Sequence, residues 1–232
     1  MKSVLMECLP ELGLDVSSIP ALTQFAQMLL QRNQVMNLTA ITEPKDVARL
    51  HLLDSLELIP LAGMESGTVV DVGAGAGFPG LPLAIMQPEL QVTLLDSLGK
   101  RVDFLQEVCS ALSLKNTVCV HGRAEEFALE KRESFDWAVS RAVASLPILS
   151  ELCLPLVKTG GHFLAMKSSH TETEIEQAKK AIHLLGGRIS WIKDYRIPTA
   201  DVTHRLICVE KITHTPPKYP RRFAQIKKAP LL

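Results

Sequence analysis

The stretch Val70-Asp71-Val72-Gly73-Ala74-Gly75-Ala76-Gly77-Phe78-Pro79-Gly80 joins an apolar run to a helical one, and it holds the residue types that bind a nucleoside. Glycine lets a backbone turn sharply and approach a ligand closely. Gly75, Gly77 and Gly80 have the GxGxxG spacing, which NAD and FAD sites share. Two details point instead to S-adenosylmethionine. Asp71 lies inside an apolar run, where a carboxylate needs a partner; a methionine ammonium group, met directly or through water, would be one. Pro79 and Pro82 have no N–H to offer, whereas a pyrophosphate seeks the N–H groups of a helix N-terminus. Asp96 closes the next apolar run, 25 residues after Asp71. A carboxylate there takes both ribose hydroxyls of either cofactor. In His121-Gly122-Arg123-Ala124-Glu125-Glu126, after the third strand, Ala124 and Glu125 are placed to meet an adenine ring and its amino group.

The acceptor is less constrained. The place after the fourth strand reads Val139-Ser140-Arg141-Ala142-Val143, without the Asn/Asp-Pro-Pro-aromatic motif of exocyclic-amine methyltransferases. No cysteine stands where a pyrimidine-C5 enzyme needs its nucleophile. A guanine N7 has a lone pair and no proton, so its attack on a sulfonium methyl needs positioning and no general base. This acceptor is compatible with the residues without being selected by them. Arg141 and Lys167 end the fourth and fifth strands, where such folds place their chemistry, and are the candidate catalytic residues. Arg141 suits a phosphate, a guanine edge or the cofactor's carboxylate. His51, Asp54 and Ser55 share one helix face and suit a cofactor lid or substrate wall. From Lys211 onward the chain carries Lys211, Lys218, Arg221, Arg222, Lys227 and Lys228, with Tyr219 and Phe223 interleaved and no acidic residue. Lys218, Arg221, Arg222, Lys227 and Lys228 are the candidate RNA contacts, since this local charge is the best evidence for a phosphate-rich partner.

The elements that must position these residues alternate. Strands are predicted over 68–72, 91–96, 117–120, 135–139 and 162–167, with helices over 80–86, 100–112, 124–129, 146–156 and 172–185 between and after them. That rhythm predicts an α/β fold with a parallel sheet covered on both faces. Two further strands, 189–195 and 205–212, have no helix between them and predict an antiparallel hairpin at one edge. Ahead of the sheet, helices are expected over 21–36 and from a Thr42 cap to about Ile59, where Pro60 stops the second.

Among 232 residues, 47% are hydrophobic, enough for a sizeable core and against whole-chain disorder. The 25 basic and 25 acidic residues cancel, so an argument for nucleic acid rests on where the charges sit. Five cysteines without a CxxC spacing argue against a metal site or disulfide framework; each reads as a reduced, buried residue of a cytoplasmic chain. The N-terminus lacks the long apolar run of a signal peptide, and no stretch suits a membrane span.

Asn37-Leu38-Thr39 with Ile41, His51-Leu52-Leu53-Asp54-Ser55, Asp71 through Gly80, Lys100-Arg101, Ser140-Arg141-Ala142 and Lys218-Tyr219-Pro220-Arg221 together resemble the glucose-inhibited division protein B family. The resemblance runs in order along nearly the whole chain, and the glycine motif ending in Phe-Pro-Gly is its most specific part. It implies a Rossmann-like class I S-adenosylmethionine-dependent methyltransferase fold, with a seven-stranded, mostly parallel sheet. It divides the chain into a helical extension (1–62), a methyltransferase core (63–214) and a basic tail (215–232). It implies methylation of a guanine N7 in 16S rRNA of the small ribosomal subunit, by a protein expected to be a monomer without metal or membrane. Cofactor contacts are expected at Asp71, Gly73, Gly75, Gly77, Phe78, Asp96, Ser97, Leu98, Ala124, Glu125 and Arg141. The chain departs from the family after Tyr-Pro-Arg, where Arg222-Phe223-Ala224-Gln225-Ile226 replaces a Gly/Pro-rich stretch. The residues alone leave two other readings open: a nucleotide-dependent oxidoreductase, and a non-catalytic RNA-binding assembly factor.

Overall fold

The computed structural model describes residues 1–141 and 144–232; Ala142 and Val143 of the sequence motif after the fourth strand lie outside them. Seven strands form one sheet in the order β3-β2-β1-β4-β5-β7-β6. β1 (Gly67–Val72), β2 (Leu90–Asp96), β3 (Thr117–His121), β4 (Phe135–Arg141) and β5 (Val157–Ser168) run parallel. β6 (Gly187–Arg196) and β7 (Thr203–Lys211) are the antiparallel pair, with β7 against β5. This is the Rossmann-like class I methyltransferase architecture. The order places the carboxyl ends of β2, β1 and β4 side by side, so Asp96, the glycine turn and Arg141 meet at one edge of the sheet.

Alternation along β1 divides the interior. Val69 faces the larger apolar cluster, while Val70 and Val72 face the other. On the first side lie α1 (Lys2–Glu11), α2 (Ile19–Asn33), α3 (Pro44–Val47), α4 (Asp54–Leu56), α5 (Leu58–Ala62), α6 (Gly80–Met86) and α7 (Gly99–Ala111). On the second lie α8 (Ala124–Glu130), α9 (Leu146–Cys153) and α10 (Glu172–Leu184), with α11 (Phe223–Lys228) docked at the C-terminal end. Phe25, Leu29, Leu52, Leu56, Leu94 and Leu164 belong to one cluster, so the N-terminal helices share a core with the sheet.

Three local expectations change. The second helix is capped by Glu43 in extended geometry, not by Thr42, and Pro60 lies within α5 instead of ending it. Between α3 and α4 the chain takes a π-helical turn over Ala48–Leu53, a widened geometry often found at functional sites. The cysteines are not all buried core residues: Cys8, Cys153 and Cys208 are, but Cys109 and Cys119 are half-buried with thiols 3.8 Å apart. No helix among the described residues is long and apolar enough to cross a membrane.

Candidate active site

A cleft of about 490 Å³ opens over the carboxyl ends of β1, β2 and β4. Its floor is the turn Gly73-Ala74-Gly75-Ala76, hung from the neighbouring strand by two backbone bonds, the Gly73 and Ala74 N–H groups donating to Leu95 O at 2.9 and 3.0 Å. Gly73, Gly75 and Gly77 have φ of +76°, +58° and +99°, the left-handed region that only glycine enters at little cost. At Gly75 an added Cβ would meet no protein atom closer than 3.7 Å, yet it would stand on the cleft floor where a ligand must come close.

Asp96 sits at the head of this turn, 3% exposed, and is rigidly aimed. Its Oδ2 accepts from Gly75 N–H and its Oδ1 from Leu98 N–H, both at 2.9 Å, with the Arg101 guanidinium 3.5 Å from Oδ2. Each carboxylate oxygen keeps a lone pair, which is what a pair of ribose hydroxyls requires.

Asp71 lies deeper than Asp96. It is fully buried beneath the turn and is not among the residues that line the cleft. Its Oδ2 accepts the Gly80 N–H at 2.8 Å, and its Oδ1 has no partner. Burial pushes its pKa up to about 7 in spite of the Gly80 hydrogen bond. Gly80 is fixed by the same contact: a Cβ there would run into Leu94 and stand 2.8 Å from Asp71 Oδ2. Gly77 and Leu98 do not line the cleft either: Gly77 lies against Leu81 and Leu105, and Leu98 gives its N–H to Asp96 while its side chain is exposed.

The opposite wall is built around Phe78. Its ring packs on Phe25 (centroids 5.1 Å apart), stacks on His51 (4.6 Å) and lies under the Arg141 guanidinium (4.9 Å). Arg141 donates to Asp54 Oδ2 at 2.9 Å and to Leu50 O at 3.2 Å, and reaches His51 Nδ1 at 3.1 Å. Tyr195 Oη and His204 Nδ1 donate to Asp54 Oδ1 at 2.7 and 2.8 Å. Burial opposes the Asp54 charge, but the His204 hydrogen bond and the Arg141 charge hold its pKa below the ordinary value. Because guanidinium only donates, His51 Nδ1 accepts; His51 is then neutral with its proton on Nε2, 2.7 Å from Thr39 Oγ1. Burial, then the Arg141 charge, push the His51 pKa down to about 4. Of the helix face read from sequence, His51 reaches the cleft and Asp54 anchors Arg141, whereas Ser55 turns away to donate to His51 O.

Phe78, Ser97, Ala124, Glu125 and Arg141 line the cleft. Lys167 does not. It donates to Ala144 O and Glu174 Oε1, both at 2.6 Å, and ties α10 to the segment after β4. Thr39, Arg101, Leu152 and Phe223 line it without having been singled out for that role. Thr39 is presented by Asn33, whose Oδ1 accepts the Leu38 and Thr39 N–H groups and whose Nδ2 donates to Thr39 O. No spacing rule announces such a loop.

The C-terminal segment departs furthest from expectation. Arg221 is not free for RNA: its guanidinium pairs with fully buried Glu151, donating at 2.8 and 2.6 Å, and also reaches Ala229 O. Lys211 is buried, paired with Glu133 and donating to Leu154 O and Thr215 Oγ1; burial lowers its pKa to about 8. Arg132 donates to Thr215 O, Pro216 O and Tyr219 O, and Ile226 is fully buried. Residues 215–232 are thus a folded strap. Lys218, Arg222, Lys227 and Lys228 remain exposed on it.

The family model for rRNA small subunit methyltransferase G matches residues 18–202. The chain belongs to that family. Its relatives include the ribosomal RNA small subunit methyltransferase G of Alkaliphilus metalliredigens, 47% identical over 99% of this chain and 98% of that protein. That of Clostridium tetani is 43% identical over 95% and 93%. Solved structures share the fold at lower identity. M. jannaschii TYW2 in complex with AdoMet superposes at a TM-score of 0.53, 19% identical, covering 64% of this chain and 70% of that one. TrmN from Thermus thermophilus gives 0.53 at 19% identity over 68% and 48%. As a member of its family the chain is an S-adenosylmethionine-dependent rRNA methyltransferase.

Proposed function

We propose that the protein transfers the methyl group of S-adenosylmethionine to N7 of a guanine in 16S rRNA, and that the cleft over β1, β2 and β4 is where it does so. The carrying observation is the Gly80 N–H, bonded at 2.8 Å to the carboxylate of Asp71. In a dinucleotide enzyme that helix N-terminus faces a pyrophosphate. Here that donor is already taken by the buried Asp71 side chain. The fit to S-adenosylmethionine is positive as well. Asp96 keeps free lone pairs at the cleft floor for ribose hydroxyls, and the glycine turn leaves room above it.

When bound, the cofactor supplies an electrophilic methyl on its sulfonium. The chain's own part is positional. Asp96 orients the ribose, and Ala124 and Glu125 flank the base. Arg141, held by Asp54, Leu50 O and His51, presents a fixed cation to a substrate phosphate or guanine edge. His51 is neutral, so it adds no repulsion toward a cationic cofactor. No residue need take a proton from N7. Exposed Arg222, Lys227 and Lys228 are proposed phosphate contacts. Isothermal titration separates the readings: binding of S-adenosylmethionine and none of NAD(H) is expected, and the reverse would refute the assignment.

A further inference from the structure

The cofactor cleft has two ends, one after β4 and one after β3. Toward β4 it is lined by Thr39, His51 and Arg141 around the Phe78 ring; after β3 it is lined by Arg123, Ala124 and Glu125, with Leu152 and Phe223. A nucleoside whose ribose is held at Asp96 must send its base one way and its sulfur substituents the other. The flat, largely apolar base belongs at the β3 end, where burial against carbon is favourable.

Phe223 is not there by accident of a loose tail. Its N–H donates to Glu125 Oε1 at 3.2 Å, and the Arg123 guanidinium lies 5.8 Å from its ring centroid. Two residues earlier Arg221 is locked to buried Glu151, and three residues later Ile226 is in the core. The residue is therefore fixed from both sides along the chain, is half-buried and lines the cleft. We propose that Phe223 is a cofactor-binding residue: the strap carries its ring to the β3 end of the cleft, where it packs against the adenine and completes a pocket that the strand ends leave open. This rests on the cofactor reading given above.

The test is calorimetric titration of the full chain with S-adenosylhomocysteine and with 5′-methylthioadenosine, which shares the nucleoside but lacks the amino-acid end. Phe223→Ala is expected to weaken both ligands by the same factor, about tenfold, as loss of an aromatic–base stack does. Phe223→Tyr, which restores the ring, should return both to within about twofold of wild type. Unchanged affinities in Phe223→Ala, or weakening of S-adenosylhomocysteine alone, would overturn the proposal. If Phe223→Ala does not fold, Phe223→Trp serves: S-adenosylhomocysteine should alter its emission in a way wild type does not show, and no such change would overturn it. Failure of wild type to bind either ligand would strike the cofactor reading itself, and this inference with it, which is a different outcome from a wild-type site indifferent to residue 223.

Discussion

The turn between β1 and α6 and the strap after β7 line the same cleft, yet they are held in place by different means. The turn is positioned by its own backbone. Gly73 and Ala74 bond to the adjacent strand, Gly75 to Asp96 and Gly80 to Asp71, over a span of ten residues and two neighbouring strands. The strap is positioned by side chains from far away: Glu151 for Arg221, Glu125 for Phe223, Arg132 for the carbonyls of Thr215, Pro216 and Tyr219. A site can thus combine a part set by local geometry with one set by long-range pairing. The two should fail differently.

The largest effect is expected in the turn. Gly80→Val would force carbon against Leu94 and the Asp71 carboxylate, and should destabilise by about 3 kcal/mol. An unshifted denaturant midpoint would show the turn to be more compliant than its packing says. Next, Asp96→Ala should leave a folded protein whose cofactor affinity falls by about 1.5–3 kcal/mol for a charged hydrogen bond; calorimetry at wild-type affinity would remove Asp96 from the site. Arg221→Gln strands Glu151, which is fully buried, while Arg221 itself is partly exposed, so about 2 kcal/mol is expected after discounting for solvent. Hydrogen exchange should then show residues 215–232 opening while β1 and β2 stay protected. Uniform loosening of both regions would erase the distinction drawn here.

A pH experiment sharpens the turn further. Burial raises the Asp71 pKa from an ordinary 3.8 to about 7. The folded chain keeps this proton up to about pH 7, whereas the unfolded chain sheds it near pH 4, so its contribution to stability is lost as pH rises through that window. Asp71→Asn lacks the titration, so its melting temperature should gain on wild type steadily between those limits. A constant difference would mean that the carboxyl is not the buried acid described. The smallest effect belongs to the outer face of the strap. Lys227→Gln with Lys228→Gln should leave cofactor affinity unchanged and flatten the salt dependence of RNA binding by about 0.7–0.9 per lost contact. Parallel salt slopes would make those lysines a solvated surface.

The difference between the regions also explains what could be read from the chain. Runs of Val, Leu and Ile between helical stretches predict the parallel strands, and the hairpin at 187–211 follows from the missing crossover helix. Asp96, Ala124 and Glu125 can be picked out as cleft-lining residues because they stand at the carboxyl ends of β2 and β3. Asp71 is found as an acid in an apolar run, but its buried side cannot be told from its exposed one until Gly80 is placed. The Arg141 network escapes, since Asp54, Tyr195 and His204 come from three separate parts of the chain and the π turn that delivers His51 has no sequence signature. The tail misleads most: charge is visible in a sequence but its partner is not, so Arg221 reads as a phosphate contact and Lys211 as part of the free local charge, although each pairs with a glutamate. Lys167 misleads in the same way through Glu174.

The most direct test of the account is methyl transfer. The purified chain, labelled S-adenosylmethionine and small subunits or 16S rRNA from a strain lacking the enzyme should give a labelled RNA whose digest contains 7-methylguanine, and Asp96→Ala should reduce that signal under subsaturating cofactor. Label on a different base or a different guanine atom, or no transfer by a chain that binds both cofactor and RNA, would contradict it.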